Sequence, residues 1–248
     1  MADLNNKFLI KSLVAPCYSE PSFMSSKLTE AVSGEIVKII EVKKDWLFIE
    51  QSDGYKSWLK DFYGTTKNIS FIADHLATEA LPIPFGTRLR TMNGNYYTVQ
   101  GDLYNYKIKP VKIGNKLGVD SIIKYAKLLI GCPYRWGGKT SLGFDCSGFV
   151  QAVYLAAGIS LPRDSWQQSD FLKDKRIGGD LSNPGDLHFF GKNGKISHVG
   201  ISTGGFGIIH CQGWVKEEIF SPSQGVNHNI VLEDMYMHTC SLELNLNI

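Results

Sequence analysis

The cysteine at position 146 stands where a chemically active thiol would be expected, at the start of a predicted helix. Apolar residues follow it at helical spacing and Gly158 can end the helix; they are Phe149, Val150, Val153, Tyr154 and Ala157. Asp145 and Cys146 should then occupy the first turn, where unpaired backbone N–H groups lower a cysteine pKa from about 8.5 toward neutrality. This position predicts cysteine-dependent acyl transfer, whereas the commoner role of a free cysteine is that of a small buried hydrophobe.

A cysteine nucleophile needs a base within hydrogen-bond reach, and usually a third group that orients the base. Among six histidines, His198 and His210 stand out because they lie in β-like segments on either side of the turn at residues 203–205. A three-residue loop there would place the two histidines directly opposite each other on one face of a hairpin. A two-residue loop would shift that register. We predict that His198 is the base, nearer to the Cys146 sulfur, and that His210 orients it.

Zinc is the competing use of these residue types. The side chains that would have to converge on it are Cys132, Cys146, His188, His198, His210 and Cys211. The sequence has no Cys-x-x-Cys, no His-Glu-x-x-His and no clustered carboxylates, which are the patterns typical of zinc sites. We therefore expect neither a metal nor another cofactor.

Composition limits the class of partner and the compartment. The chain of 248 residues has 26 Lys and Arg against 24 Asp and Glu, so its charge gives no reason to expect nucleic acid as a partner. Its five cysteines are an odd number without close pairs, which favours a reducing compartment; they are Cys17, Cys132, Cys146, Cys211 and Cys240. The apolar run before Cys17 is short and interrupted by Lys11, which favours a strand over an export signal. We expect no membrane span and a cytoplasmic protein, or a periplasmic or extracellular one if a leader is missing from this chain; the oligomeric state stays open.

Two β-rich regions precede the region that holds Cys146. Residues 1–63 alternate short apolar runs with turns, as in a small antiparallel barrel. Residues 64–112 predict a second, abbreviated barrel-like β unit, with a hairpin turn at Asn93-Gly94 and a further strand around residues 104–108.

The last region, residues 113–248, changes character. Asp120 can cap a first helix that Gly131 closes, the Cys146 helix follows, and β-like segments continue towards the C-terminus. Helices followed by an antiparallel sheet indicate an α+β domain.

Ordered motifs in this last region resemble the NlpC-type cell-wall peptidases of the papain-like superfamily. They are Tyr134-Arg135-Trp136-Gly137-Gly138, Asp145-Cys146-Ser147-Gly148-Phe149, Pro162-Arg163-Asp164-Ser165 with Gln168, Asn183-Pro184-Gly185-Asp186-Leu187, and His198-Val199-Gly200. The stretch Asp53-Gly54-Tyr55-Lys56-Ser57-Trp58 resembles the bacterial Src-homology-3-like domains found beside cell-wall hydrolases. The resemblance implies a papain-like catalytic domain, with the nucleophile helix packed on an antiparallel sheet, preceded by small all-β barrel domains.

The resemblance also implies an activity. It is that of a γ-D-glutamyl-L-diamino acid endopeptidase, or dipeptidyl-peptidase VI, which cleaves the bond to meso-diaminopimelate in peptidoglycan stem peptides or free muropeptides. Members with N-terminal barrels often accept only a free N-terminal L-Ala and release L-Ala-D-Glu. Cys146 would be the nucleophile, His198 the base and His210 the third polar residue.

Further site residues follow from the same resemblance. Tyr134 and Trp136 would line the cleft, and substrate would contact Asp145, Ser147, Asp164 and Ser165, although helix capping is a second use for the two aspartates. From the first barrel, Glu30 and Tyr55 would narrow the cleft, with Glu35 or Tyr63 as substitutes. The backbone N–H of Cys146 would stabilise the oxyanion, with Tyr134 as a second donor. His188 departs from the apolar residue that is common in the family, and we expect it to be structural.

Two other functions stay open at this point. The same Cys-His-His triad would serve an amidase or acyltransferase, and a catalytically inert domain would leave a wall-peptide-binding protein. An intact Cys146, His198 and His210 argues against the inert protein.

Overall fold

The computed structural model describes residues 6–67, 69–221 and 228–242, and the chain divides into two compact units. The first unit comprises the chain up to Asn115 together with Trp136–Leu142, and the second comprises Lys116–Arg135 and the chain from Gly143 onward. Both predicted β-rich regions therefore fall in the first unit, together with a short loop from the motif that precedes Cys146.

An antiparallel sheet forms the start of the first unit. Its strands are β1 (Lys7–Ile10), β2 (Val14–Tyr18), β3 (Lys27–Val32), β4 (Ile36–Lys43), β5 (Trp46–Glu50), β6 (Lys56–Lys60) and β7 (Gly64–Thr65), in the order β3-β2-β6-β5-β4-β1-β7. A 3-10 helix, Asp61–Tyr63, precedes β7. Alternate residues such as Leu47 and Ile49 point inward, as strand geometry requires, and contribute to one apolar core.

A second antiparallel sheet follows in the first unit. It contains β8 (His75–Leu76), β9 (Arg88–Met92), β10 (Asn95–Tyr97) and β11 (Val111–Lys112), in the order β10-β9-β8-β11. The predicted hairpin turn is confirmed, because Asn93 and Gly94 join β9 to β10 with φ values of 50° and 77°. Both values lie in the left-handed region that a type I′ turn needs.

The strand predicted at residues 104–108 is wrong. The carboxylate of Glu79 accepts hydrogen bonds from the backbone N–H groups of Lys107 and Ile108, at 2.5 Å each, and from the Tyr104 hydroxyl at 2.9 Å. These N–H groups are satisfied by a side chain, so they do not join a strand ladder.

The second unit combines helices with one antiparallel sheet. The helices are α1 (Val119–Leu128), α2 (Cys146–Ala156), α3 (Ser165–Phe171) and α4 (Ile230–Met235). After the short strands β12 (Lys139–Thr140, in the loop that groups with the first unit) and β13 (Gly143–Phe144), the sheet is built from β14 (Arg176–Ile177), β15 (Leu187–Lys192), β16 (Lys195–Gly204), β17 (Gly207–Gln212), β18 (Trp214–Ile219) and β19 (Tyr236–Cys240). Its strand order is β14-β19-β15-β16-β17-β18, and 3-10 helices occupy Lys173–Lys175 and Gly179–Leu181.

The nucleophile helix packs on this sheet, as predicted for an α+β domain. Nearly every residue of α2 is buried, and the helix contacts β16 and β17. The first helix of the unit differs from its prediction, because Gly118 is the N-cap of α1 and Asp120 lies in the first turn. A carboxylate in that turn is still favourable for the helix dipole. Among the described residues, no helix is long and apolar enough to cross a membrane.

Candidate active site

Cys146 is the first residue of α2, as its sequence position predicted. Asp145 is the N-cap, and its Oδ1 accepts a hydrogen bond from the backbone N–H of Gly148 at 2.7 Å. The thiol is only 8% exposed, and its Sγ lies 4.0 Å from the carbonyl oxygen of Ser197. The helix start thus holds the sulfur against the strand β16, at the residue that precedes His198.

The acidity of this thiol differs from the prediction. Burial, assisted by the negative charge of Asp145, raises the pKa of Cys146 to about 12, while the backbone N–H groups of Val199 and Ser147 act to lower it. Burial also lowers the pKa of His198 to about 3. Desolvation of the charged form thus outweighs the effect of the helix start on Cys146, and it favours the neutral form of both side chains.

His198 and His210 form a hydrogen-bonded pair on one face of the sheet. Nε2 of His198 lies 2.8 Å from Nδ1 of His210, and their rings are 9% and 0% exposed, respectively. The predicted register is wrong, because His210 lies opposite Gly200, and His198 comes two residues before Gly200 in β16. The turn is two residues long, Gly205 and Phe206, with a register shift between Ser202 and Gly204. Since strand side chains alternate, a displacement by two residues keeps both histidines on the same face.

Gly200 explains why a diagonal pair can bond. It lies directly opposite His210, and a Cβ on Gly200 would come within 2.8 Å of the His210 Cβ and 2.5 Å of Ile208 Cδ1. The missing side chain leaves room for Ile208 and for the His210 side chain in its bonded position.

We expect Gly200→Ala to displace His210 and to lower activity by about 10-fold or more, because even small misplacement of a catalytic group is costly. Expressed as free energies, the loss in kcat should exceed any loss in thermal stability. Cleavage assays and thermal unfolding of the variant measure the two effects. The control is Gly194→Ala, in the turn between β15 and β16, where a positive φ of 75° costs stability but a Cβ meets nothing within 4 Å. Unchanged kcat in Gly200→Ala would contradict this role.

Glu218 is a site residue that sequence reasoning missed. Its Oε2 lies 2.7 Å from Nε2 of His210, on the side of that ring away from His198. Asn229 Nδ2 donates to the same oxygen at 3.0 Å, and Lys216 Nζ lies 3.2 Å from Oε1. The hydrogen bond from His210 is the largest of the influences that lower the pKa of Glu218 to about 2, so it is ionised at neutral pH. Glu218 reaches His210 through the register of β18, in which Lys216 pairs with His210 and Glu218 lies two residues later.

The substrate residues predicted around the nucleophile form an internal network. Arg163, 1% exposed, donates to both oxygens of Asp145, at 3.0 Å and 2.6 Å, and to the Ser147 hydroxyl at 3.0 Å. The capping alternative is confirmed for Asp145, and Asp164 is likewise the N-cap of α3, which begins at Ser165. A capping box joins Asp164 to Gln167, and direct contacts of these residues with substrate stay predictions.

Tyr134 lies near the nucleophile within the second unit. Burial raises the pKa of Tyr134 to about 12, with smaller contributions from the charges of Cys146 and Asp145, so the hydroxyl keeps its proton and is able to donate. Its ring is partly exposed, and its backbone N–H donates to the Gly213 carbonyl at 2.7 Å.

The remaining candidates lie in the first unit. The Trp136 ring is exposed, and its Nε1 donates to the Lys27 carbonyl at 2.9 Å. Glu30 is 1% exposed, and its carboxylate pairs with Lys27 Nζ at 2.6 Å and accepts the backbone N–H of Lys139 at 3.1 Å. Tyr55 is half-buried in the turn before β6, where its N–H donates to Asp53 Oδ1 at 3.0 Å. Their roles toward substrate stay predictions.

The two substitutes for these barrel residues also lie in the first unit. Glu35 is buried, with Oε2 3.4 Å from Arg88 Nη1, and Tyr63 packs against the apolar core.

His188 occupies an internal position. Its ring is fully buried beside Phe190 and Phe220, and Nδ1 lies 2.7 Å from the Thr239 hydroxyl. Burial lowers the pKa of His188 to about 4, so it is neutral at physiological pH. Within the described ranges of the chain, no group of three or more His, Cys, Asp and Glu side chains is placed to hold a metal ion.

Comparison with known proteins finds a matching family and named relatives. The model of the NlpC/P60 family matches residues 131–232. A γ-D-glutamyl-L-lysine dipeptidyl-peptidase of Bacillus cereus strain ATCC 10987 is 31% identical over 169 residues, which cover 66% of this chain and 46% of that protein. A protein of the same name from Bacillus subtilis strain 168 is 28% identical over 213 residues, covering 73% of this chain and 71% of that protein. The chain thus spans about half the length of the first of these relatives.

A solved structure extends the likeness to the fold. The crystal structure of an NlpC/P60 family protein from Bacillus cereus ATCC 10987 superimposes with a TM-score of 0.77 and 20% identity, covering 95% of this chain and 99% of that one. At this identity the likeness concerns the fold alone. The family match identifies residues 131–232, the segment that holds Cys146, His198 and His210, as an NlpC/P60 domain.

Proposed function

We propose that the protein is a cysteine peptidase that hydrolyses the γ-D-glutamyl bond to an L-diamino acid in peptidoglycan stem peptides. The observation that carries the proposal is the buried His198–His210 pair, bonded at 2.8 Å, whose His198 lies on β16, the strand against which Cys146 lies. The family is one of peptidoglycan hydrolases, and the names of the two Bacillus relatives support the choice of bond.

The chemistry begins with proton transfer. Nε2 of His198 is engaged by His210, so Nδ1 is the nitrogen that accepts the Cys146 proton. The thiolate attacks the γ-carbonyl carbon of D-glutamate, and the tetrahedral oxyanion forms at the start of α2, where the backbone N–H of Cys146 can donate. We assign Tyr134 as the second donor.

Collapse of this intermediate completes the reaction. The His198 imidazolium gives its proton to the leaving amine of the diamino acid as the C–N bond breaks, which leaves a thioester on Cys146. Water, deprotonated by His198, then attacks the thioester, and the thiolate leaves and takes the proton back. The products are a peptide that ends in D-glutamate and a second product that begins with the freed amino group of the diamino acid.

The free amino terminus of the substrate is the second part of the proposal. A free L-Ala presents an ammonium, for which carboxylates are the best partners. Our candidates for contacts with substrate are Glu30, Tyr55 and Trp136 of the first unit and Asp145, Ser147, Asp164 and Ser165 of the second unit. A requirement for a free L-Ala makes L-Ala-D-Glu the released product.

Both relatives are named for L-lysine, whereas the motif resemblance pointed to meso-diaminopimelate. These diamino acids differ by one carboxylate on the side chain. We propose meso-diaminopimelate as the natural residue, and the assay includes both.

The test is incubation of the purified protein, in reducing buffer, with L-Ala-γ-D-Glu-meso-diaminopimelate and its L-lysine counterpart. Each peptide is supplied with a free and with an N-acetylated terminus. We expect release of L-Ala-D-Glu from the free peptides to be favoured by about 100-fold or more in kcat/KM, because acetylation removes the ammonium and its charge-assisted hydrogen bonds. Mass spectrometry of the products measures this ratio.

Each arm can contradict one part of the proposal. Equal cleavage of free and acetylated peptides would contradict the requirement for L-Ala, and faster cleavage of the L-lysine peptide would contradict the choice of diamino acid. Cleavage of the α-linked L-Ala-D-Glu amide alone would indicate an amidase of different specificity. Intact peptides in every arm, with binding still measurable, would indicate the inert wall-peptide-binding protein.

We place this activity in a reducing compartment, as muropeptide recycling in the cytoplasm would require. All five cysteines are free thiols in the structure, which supports the assignment. Fractionation of cells that express the full-length protein, followed by immunoblotting, tests it. Recovery in the periplasm or the medium would contradict it.

A further inference from the structure

We infer that Glu218 is a positioning residue that sets the tautomers of both histidines, and so leaves a bare nitrogen on His198 to deprotonate Cys146. The inference rests on the proposed roles of Cys146 and His198. It adds Glu218 as a fourth residue to Cys146, His198 and His210, and it states which nitrogen donates at each hydrogen bond.

The first hydrogen bond to consider joins the Glu218 carboxylate to His210. An ionised carboxylate only accepts hydrogen bonds, so the 2.7 Å contact with Glu218 requires a proton on Nε2 of His210. The contact is short, as expected for a charge-assisted hydrogen bond. A neutral His210 with its proton on Nε2 carries a bare Nδ1.

The contact between the two histidines then fixes the tautomer of His198. Nδ1 of His210 lies 2.8 Å from Nε2 of His198, and a bare Nδ1 accepts, so Nε2 of His198 must donate. A neutral His198 with its proton on Nε2 has a bare Nδ1, the only ring nitrogen that can then accept the Cys146 proton. A carboxylate two rings away therefore decides whether the base can work.

Glu218 is itself held in one orientation. Asn229 Nδ2 and Lys216 Nζ donate to its two different oxygens, at 3.0 Å and 3.2 Å. Asn229 is fixed in turn, because its Oδ1 caps α4 through the N–H groups of Val231 and Leu232, at 3.1 Å each. Because both Glu218 oxygens accept hydrogen bonds from these donors, the oxygen that faces His210 is an acceptor and carries no proton.

Two substitutions separate this role from simple packing. Glu218→Gln keeps the shape, but its amide nitrogen carries two protons. In one orientation these protons face the Lys216 ammonium, and in the other they face His210 and the amide donor of Asn229. The second orientation forces the His210 proton to Nδ1 and the His198 proton to Nδ1, which removes the base. Glu218→Ala removes the shape but admits water, which can accept from His210.

A packing role predicts that glutamine is tolerated and alanine is harmful. The tautomer role predicts that glutamine is at least as harmful as alanine. We expect Glu218→Gln to lower kcat by about 10- to 100-fold, the range found when the outer partner of a metal-ligating histidine is lost, with little change in KM. Glu217→Gln is the matched control: it is the same chemical change one residue away, on a side chain that pairs with Lys127 at 3.5 Å.

Two readouts do not need the substrate, so they separate a failure of this inference from a failure of the proposed function. Long-range ¹H–¹⁵N spectra of protein labelled at histidine should show protons on Nε2 of both His198 and His210 in the wild type, and on Nδ1 in Glu218→Gln. Alkylation of Cys146 by iodoacetamide, located by peptide mass mapping, should slow in Glu218→Gln and be unchanged in Glu217→Gln.

Three results would overturn the inference. They are wild-type spectra with a proton on Nδ1 of His198, wild-type spectra with His210 doubly protonated at neutral pH, and a Glu218→Gln protein with wild-type tautomers, alkylation rate and kcat.

Discussion

Replacement of Cys146 by alanine should reduce hydrolysis of L-Ala-γ-D-Glu-meso-diaminopimelate by about 10⁴-fold or more, since loss of a nucleophile leaves only binding and oxyanion stabilisation. The thiol is 8% exposed, lies against β16 and is followed by a helix that is buried nearly throughout. No neighbouring hydroxyl at the helix start can replace it, because Ser147 is held by Arg163 at 3.0 Å. Initial rates of L-Ala-D-Glu release, measured at saturating peptide, give the ratio.

The matched control is Cys132→Ala, which removes another thiol of the second unit. Cys132 uses its backbone, donating to the Leu129 carbonyl at 3.0 Å and accepting from Val215 N–H at 2.8 Å, and both bonds survive the substitution. Its activity should match the wild type. Calorimetric binding of the uncleaved peptide to Cys146→Ala shows that the cleft is intact. Residual cleavage above about one part in 10³ of the wild-type rate would contradict a cysteine mechanism, since loss of any triad member costs more than that.

The second large effect concerns stability, through the buried ion pair that precedes the nucleophile. Arg163 and Asp145 are 1% and 6% exposed, and their closest N–O distance is 2.6 Å. Arg163→Met should lower the free energy of unfolding by about 3 to 5 kcal/mol, because it leaves a buried carboxylate without its partner. Urea unfolding followed by circular dichroism measures the loss.

A double-mutant cycle identifies the cause. Asp145→Asn keeps an N-cap side chain for α2 but removes the charge, so the double variant with Arg163→Met has neither buried charge. Its loss should be clearly smaller than the sum of the two single losses, whereas additive losses would contradict a coupled pair. Lys173→Met is the exposed control: Lys173 and Asp170 lie 3.7 Å apart with most of their surface in solvent, and the loss should be slight.

Features with local causes were predictable from the sequence. The start of α2 at Cys146 follows from apolar spacing, a capping aspartate and the terminating Gly158. The hairpin at Asn93-Gly94 follows from two residues that tolerate positive φ. The α+β arrangement follows from the order of helical and strand patterns. Each depends on interactions between residues a few positions apart.

Features that depend on register were not predictable in the same way. A two-residue turn with a bulge displaced His198 by two positions from the residue opposite His210, yet preserved the common face. The missed carboxylate, Glu218, meets His210 only through the pairing of β17 with β18. In the first unit, Glu79 took over the backbone N–H groups of Lys107 and Ile108 that a strand would have used.

The position of Cys146 in the first turn of α2 and the placement of His198 and His210 on one face of the sheet were therefore predictable from local sequence patterns. The burial of the Cys146 thiol, the contacts that join Glu218 to His210 and His210 to His198, and the internal pairing of Asp145 with Arg163 came from tertiary structure alone. The physical reason is that backbone preferences act between neighbours in the chain. Desolvation and hydrogen-bond direction depend instead on groups that are distant in sequence and meet only when the sheet has formed.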